Sequence, residues 1–212
     1  MRAALRATGP SKDEWMQRSF PSGVDWIHCR DVHEMAEVDA EVYVDLHFSP
    51  SDDILIYRQL ALHKPFLVNA IPWTSAAYGG DLIRINCWPG MLSREQLEFA
   101  FAKPEKGKLA DALFREWNWT SHVVPDIAGM ITPRILAMII NEAFIALESG
   151  VAGKEEIDKA MKWGTQYPWG PFEWGEKIGI ASVYHLLDIL SVEDERYNPS
   201  PALVAEAQKI NV

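Results

Sequence analysis

The stretch that decides the fold of the second half is residues 140–174, "INEAFIALESGVAGKEEIDKAMKWGTQYPWGPFEW". It predicts two helices and the start of a third, separated by turns rich in glycine and proline. Gly150 and Gly164 end the first two helices, as glycine commonly does in the left-handed position. The third begins at Gly170-Pro171, because proline needs no N–H in a first helical turn. The stretch therefore indicates a rigid elbow between two helices, with Pro168, Gly170, Pro171 and Phe172 as candidate cleft or interface residues.

The first of these helices extends back to Thr132, which can cap it, and is apolar on nearly every side from Ile135 to Ile140. A helix of this kind is buried on more than one side, inside a domain or between subunits. Asn141 and Glu142 interrupt it, and buried polar groups must find partners. Their side chains either face a cleft or hold a dimer together. We favour a structural hydrogen-bonding role.

The pattern before residue 126 is different, because β-rich runs alternate with helix-like segments. This alternation predicts βαβ units and a mainly parallel sheet. The fold class is therefore α/β plus α, with an α/β domain at residues 1–125 and an all-helical domain at 126–212. The predicted strands are "VDWIHCR" (24–30), "EVYVDLHF" (41–48), "PFLVNAI" (65–71) and "LIRINCW" (82–88), and the predicted helices cover 52–63, 93–102 and 106–118.

Asp45 and His47 lie on the same face of the strand "EVYVDLHF", two residues apart. A strand with a polar second face suggests an exposed edge or the lining of a cleft. An imidazole oriented by a carboxylate is one interpretation. The interpretation that we favour is a pair at the surface edge of the sheet, since tuning of a pKa needs burial.

The composition and the charge of the chain disfavour several classes of function. The net charge of −10 disfavours a nonspecific nucleic-acid binder. The two cysteines, Cys29 and Cys87, have no metal-site spacing and indicate free thiols in a reducing compartment. No signal peptide or apolar run of membrane-spanning length is evident. We therefore expect a cytoplasmic protein that binds neither nucleic acid nor membrane.

The second half resembles the C-terminal domain of the 3-hydroxyacyl-CoA dehydrogenase family. The resemblance rests on an Asn-Glu-Ala helix from Asn141, a "GVA" turn from Gly150, an "IDxAM" helix from Ile157 and the elbow ending at Phe172. "RYNPSPALVAEA" (196–207) is similar to the family's "Y-x-PSPLL" segment. The resemblance implies an all-helical domain that usually builds a homodimer interface.

The first half resembles the later portion of the family's Rossmann domain, so the fold class becomes a truncated Rossmann-like part followed by this helical domain. "DAEVYVDLHF" aligns with a strand reading "aDlVIEAvfE", "PFLVNA" with the strand ending in Ser-Asn, and "INCWPG" with "HFFNPV". These alignments make Asn69, Asn86 and Trp88 candidate cleft residues. The earlier portion of the Rossmann domain is expected to be missing.

The residues that a dehydrogenase of this family needs are not matched. Dinucleotide binding uses a glycine-rich turn before a helix, and no G-x-G-x-x-G occurs in the chain. The family's catalytic His falls on Ile85, or on Asn86 if the alignment slips by one residue. Ile71 stands at the serine, Pro133 at the asparagine and Leu97 at the orienting Glu, which Glu98 or Glu95 could replace only with a gap. We therefore assign no catalytic or cofactor-binding residue and expect no NAD.

Three functions remain open. The first is a degenerate member of acyl-CoA metabolism that binds an acyl-CoA-type ligand or a partner without redox chemistry, as a homodimer. The second is an active NAD-dependent dehydrogenase with an unconventional nucleotide site, and the third is a structural dimer module of a larger enzyme. An acyl-CoA binder needs a basic cluster for phosphates, for which Arg58, Lys64 and Arg84 are candidates. Aromatic walls that could hold an acyl chain or an adenine, or merely fill space, are Trp73, Trp88, Trp169 and Trp174.

Overall fold

The computed structural model describes residues 1–209, which form two compact units. The first unit is Met1–Met130 and the second is Ile131–Val212. The division therefore lies in the segment that connects the last strand to the longest helix.

The first unit contains strands and helices in alternation. Its strands are β1 (Arg2–Arg6), β2 (Asp25–His28), β3 (Val42–Asp45), β4 (Phe66–Val68), β5 (Ile83–Ile85), β6 (Gln96–Ala100) and β7 (Thr120–Val123). Its helices are α1 (Gly9–Gln17), α2 (Val32–Glu37), α3 (Ile54–Ala61) and α4 (Pro104–Glu116), with a short 3-10 helix at Ala76–Tyr78.

The strands form one seven-stranded sheet in the order β2-β1-β3-β4-β5-β6-β7. The first five strands in this order are mutually parallel, β6 is antiparallel to β5, and β7 is parallel to β6. The chain order reverses between β1 and β3. In doubly wound sheets, ligands bind in the crevice outside the carboxyl ends of the strands at such a reversal. The α/β part and its mainly parallel sheet are confirmed.

The expectation that the earlier portion of the Rossmann domain is missing is wrong. The first residues form β1 and α1, and β1 pairs with β2 on one side and with β3 on the other. The buried positions of β1 are Ala3, Ala4 and Leu5. These short side chains make an apolar run too small for the sequence pattern to reveal, although the strand is central.

The predicted helix at 93–102 is also wrong, because residues Gln96–Ala100 form β6. Leu97 and Phe99 are buried, whereas Glu98 between them is only partly buried. This period of two is that of a strand. Pairing with β5 at Arg84↔Ala100 and Ile85↔Phe99 decides the conformation.

The sheet is covered by apolar side chains on both faces. Alternate residues of a strand point to opposite faces. Val42 and Val44 belong to one buried cluster with Leu5 and Leu67, whereas Tyr43 belongs to another with Ala4, Phe66 and Val68. β3 is therefore a central strand buried on both faces, and the expected exposed edge is wrong.

Tryptophans fill much of the first cluster. Trp15 makes edge-to-face contacts with three tryptophans at ring-centroid distances of 5.3 to 6.0 Å: Trp26, Trp117 and Trp119. Such contacts stabilise a core beyond the area that they bury. Trp88 and Trp174 are buried as well, which favours the space-filling interpretation of the aromatic residues.

The second unit is helical in its described part, as expected. Its helices are α5 (Thr132–Glu148), α6 (Lys154–Thr165), α7 (Pro171–Ile178), α8 (Ile180–Ser191) and α9 (Pro201–Gln208), with a short 3-10 helix at Glu195–Tyr197. Thr132 is the first residue of α5 and not its cap, and α6 continues past Gly164 to Thr165. Within residues 1–209, every helix is too short or too polar to cross a membrane. The cytoplasmic location stays a prediction.

Candidate functional site

The carboxyl ends of β4 and β5 bring Asn69, Asn86 and Glu98 together. The Asn86 side-chain Nδ2 donates to Glu98 Oε2 at 3.1 Å, and its backbone N–H donates to the Glu98 carbonyl at 3.0 Å. The Asn69 side-chain oxygen accepts from the backbone N–H of Cys87 at 3.3 Å. Asn86 is 2% exposed and its Oδ1 accepts from Trp88 N. Asn69, Asn86 and Trp88, which the sequence predicts as cleft residues, therefore lie together at the carboxyl ends of β4 and β5.

In this cluster, a hydrogen bond to Glu98 on the neighbouring strand β6 fixes the orientation of the Asn86 side chain. A carboxamide neither accepts nor releases a proton at ordinary pH, unlike an imidazole. Asn86 can therefore hold a polar group but cannot itself act as the general base of a hydride transfer. The antiparallel pairing of β5 with β6 supplies Glu98, and the mistaken helix at 93–102 hid this pairing.

Asp45 and His47 do not form the surface pair that the sequence suggests. Asp45 is fully buried, and its carboxylate accepts from Arg6 Nη1 at 3.1 Å, from the Tyr57 hydroxyl and from the backbone N–H of His47. Asp52 joins the cluster, 2.7 Å from Arg6 Nη1 and 3.0 Å from the Tyr57 hydroxyl. Arg6 and Tyr57 therefore bridge two carboxylates at the reversal between β1 and β3.

The two carboxylates of this cluster differ in their pKa. Burial raises the pKa of Asp45 above its ordinary value, against the hydrogen bond from Tyr57 and the charge of Arg6. Burial acts in the same direction on Asp52, but hydrogen bonds from Arg6, Ser49 and Tyr57 outweigh it, so the pKa of Asp52 is lowered. Arg6 pairs with both carboxylates and lies closer to Asp52, at 2.7 Å, than to Asp45, at 3.1 Å.

The imidazole of His47 lies on the amino end of α1. Its Nε2 accepts from the Thr8 backbone N–H at 2.8 Å and lies 2.9 Å from the Thr8 hydroxyl. Thr8 is the N-cap, and the helix continues through Gly9 and Pro10. Pro10 has no N–H to offer, so the first turn lacks one donor. His47 thus occupies the backbone N–H of the residue that precedes α1 at the sheet reversal.

The three basic residues considered for phosphate binding do not converge. Arg84 is fully buried and donates to Asp126 at 2.8 Å and to the carbonyls of Ala70 and Ile71. Lys64 pairs with Asp39 at 3.0 Å. The Arg58 guanidinium packs against Gly79. The sequence offered these residues only as scattered candidates, and Arg84 serves a buried ion pair.

In the second unit, Asn141 has a structural role and Glu142 is exposed. Asn141 Nδ2 donates to the Asn198 carbonyl at 3.0 Å, and its Oδ1 accepts from Ser200 N at 2.8 Å. These bonds tie α5 to the turn before α9. They satisfy the polar group that interrupts the apolar helix.

The elbow is explained by a buried aspartate of α6. Asp158 accepts from the backbone N–H groups of Phe172 at 2.8 Å and Glu173 at 3.2 Å, which are the unpaired donors at the start of α7. Glu173 in turn accepts from Gly170 N at 2.9 Å. Phe172 is buried and Pro168 is exposed. This local structure accounts for the special residues without any chemistry.

Two isoleucines of α5 are exposed among the residues that the structure describes. Ile135 is 55% exposed and Ile145 is 40% exposed, whereas Leu136 and Ile140 on the other face are buried. The expectation that this helix is buried on more than one side is therefore not met by a single chain. Glu142, which lies between them in sequence, is exposed as well. Exposed apolar residues that share a helix with buried ones are candidates for an interaction surface.

Comparison with known proteins assigns the second unit. Residues 129–209 match the model of the 3-hydroxyacyl-CoA dehydrogenase C-terminal domain. The chain is 44% identical over 82 residues to 3-hydroxyadipyl-CoA dehydrogenase of Escherichia coli strain K12, and 42% identical over 82 residues to 3-hydroxybutyryl-CoA dehydrogenase of Clostridioides difficile. Each match covers 38% of this chain, and they cover 17% and 29% of the two relatives.

The first unit is similar in fold only. The structure of (S)-3-hydroxybutyryl-CoA dehydrogenase from Ralstonia eutropha superposes with a TM-score of 0.73 at 16% identity, over 98% of this chain and 93% of that chain. Identity at this level shows the fold and no more. The α/β part followed by a helical part is therefore the arrangement that both proteins share.

Proposed function

We propose that the chain is a member of the 3-hydroxyacyl-CoA dehydrogenase family, whose C-terminal domain model matches residues 129–209, and that it acts in acyl-CoA metabolism without ordinary NAD-dependent hydride transfer. In this role it binds an acyl-CoA-type ligand as a homodimer. The observation that carries the proposal is the Asn86–Glu98 pair. It stands where the aligned sequence, with a slip of one residue, has the His held by Glu in the family.

The residues present do not fit a dinucleotide in the usual way. Pyrophosphate binding relies on free N–H groups at a helix amino end and on glycines that let the backbone approach. At α1, the Thr8 N–H is bonded to His47 and Pro10 has none to donate. The turn holds one glycine, Gly9, where the fingerprint needs three. We therefore derive no reaction step through NAD.

The side chain at position 86 also argues against hydride transfer. A hydride transfer to or from a hydroxyl carbon needs a group that takes or supplies the hydroxyl proton, and such a group contributes about 10²- to 10⁴-fold. Asn86, which stands at the position of the family's His if the alignment slips by one residue, cannot do this. What the edge of the sheet retains is hydrogen-bonding capacity, which suits binding better than turnover.

The acyl-CoA-type ligand is proposed from the relatives, whose names describe enzymes acting on CoA esters. Calorimetric titration of the full chain with acetoacetyl-CoA, with no nucleotide present, tests this binding. We expect saturable heat from the CoA ester and no oxidation of NADH when both are supplied. NADH oxidation above the rate of a boiled sample would contradict the proposal and favour an active dehydrogenase.

The homodimer is supported by the exposed isoleucines of α5. The Ile135→Glu variant should shift the chain from dimer to monomer, because it replaces one of them with a charge. Sedimentation equilibrium measures the change, with Val192→Glu as a control, since Val192 is an exposed apolar residue on another helix end. A wild-type chain that sediments as a monomer would contradict the dimer.

A further inference from the structure

Arg18 follows α1 and is fixed in place by three groups. Its guanidinium lies 4.0 Å above the ring centroid of Trp119. Its Nη1 donates to the carbonyls of Leu92 at 2.6 Å and Arg94 at 2.9 Å. Its Nε is buried and has no hydrogen-bond partner in the described part of the chain. The side chain is thus held without a counter-charge.

The lack of a counter-charge sets Arg18 apart from the other enclosed cations of the first unit. Each of those has a carboxylate at 2.7 to 3.9 Å, whereas Arg18 forms no ion pair with any residue between 1 and 209. The pairs are Arg6 with Asp45 and Asp52, Arg84 with Asp126, and Lys106 with Asp81. Burial lowers the pKa of Arg18. An enclosed charge is costly unless it is paired.

Arg18 faces a cavity of about 460 Å³ within the first unit. This volume is in the range of small-ligand sites. The cavity is also lined by Ser19, Arg94 and Asn118, which carry hydrogen-bond donors, and by Glu95, which carries a carboxylate. Glu14 also lines the cavity, but both of its carboxylate oxygens accept from Gly90 N at 2.8 and 3.0 Å.

We propose that this cavity binds a small ligand through an oxyanion, a carboxylate or a phosphate, that pairs with the guanidinium of Arg18. Arg is suited to this role because its planar donors match both groups and its stacking on an aromatic ring fixes their direction. The ligand supplies the counter-charge that the chain itself does not. The site is separate from Asn86 and Glu98 and does not depend on the proposed function.

Calorimetric titration of the full chain with inorganic phosphate and with succinate, at constant ionic strength, tests the site. We expect saturable binding of at least one anion, weakened about tenfold or more by Arg18→Met, as loss of a charge-assisted hydrogen bond predicts. Arg115→Met is the matched control, because Arg115 is exposed and does not line the cavity. It should bind as the wild type does. If only one of the two anions binds, it identifies the oxyanion of the ligand as a phosphate or a carboxylate.

A second variant guards against a folding defect in Arg18→Met. Ser19 is exposed and lines the cavity, so Ser19→Trp should fill the space without disturbing the core. It should abolish anion binding while the circular dichroism spectrum stays that of the wild type. The proposal is overturned if neither anion binds the wild type, or if a folded Ser19→Trp variant binds them undiminished.

Discussion

The Gly170→Val variant should lose about 3 kcal/mol of unfolding free energy, in the range of overpacked cores. A Cβ at Gly170 would lie well under 3.0 Å from the side chain of Asp158, a distance that real Cβ atoms do not reach. Asp158 cannot move aside without giving up the N–H groups of Phe172 and Glu173. Helices α6 and α7 must therefore separate.

The matched control for this variant is Gly164→Val, also in the elbow region but with nothing within 4 Å of an added Cβ. It should change stability by less than about 1 kcal/mol, as exposed helical substitutions do. Urea denaturation followed by circular dichroism measures both. Equal midpoints for the two variants would show that Asp158 does not fix the elbow.

The Asp126→Ala variant should lose about 3 to 5 kcal/mol, because it leaves the buried guanidinium of Arg84 without its counter-charge. Asp126 also accepts from the backbone N–H groups of Ser75 and Ala76 at 2.9 Å. The pair therefore links β5 to two segments that follow strands: the turn after β4 and the segment after β7. Thermal unfolding monitored by circular dichroism measures the loss.

A double variant separates the charge from the rest of this network. Arg84→Met together with Asp126→Ala removes both charges, and replacing a buried pair by apolar groups costs less than breaking it. The double variant should therefore be more stable than Asp126→Ala alone. If the double variant is the less stable of the two, an unpaired Arg84 is not the source of the loss.

The helical half was predictable because its signals are local. Glycines and prolines at fixed offsets set the ends of α5, α6 and α7 within a few residues. The exception is the role of Asp158, which lies 14 residues before Phe172. No local pattern connects the two, and only the packing of α6 on α7 brings them together.

The α/β half was less predictable because its decisive contacts are distant in sequence. Arg6 meets Asp45 across 39 residues, and Asn86 meets Glu98 through a strand pairing. Neither contact leaves a periodic signal. Residues 93–102 were expected to be helical, whereas pairing with β5 imposes a strand on Gln96–Ala100.

The measurement that tests the central claim most directly is titration of the full chain with NADH, followed by energy transfer from tryptophan to nicotinamide. With nine tryptophans the signal is sensitive. We predict no saturable transfer, with or without acetoacetyl-CoA, because His47 and Pro10 leave the start of α1 short of donors. Saturable transfer in the micromolar range would contradict the account and require another phosphate site in this chain.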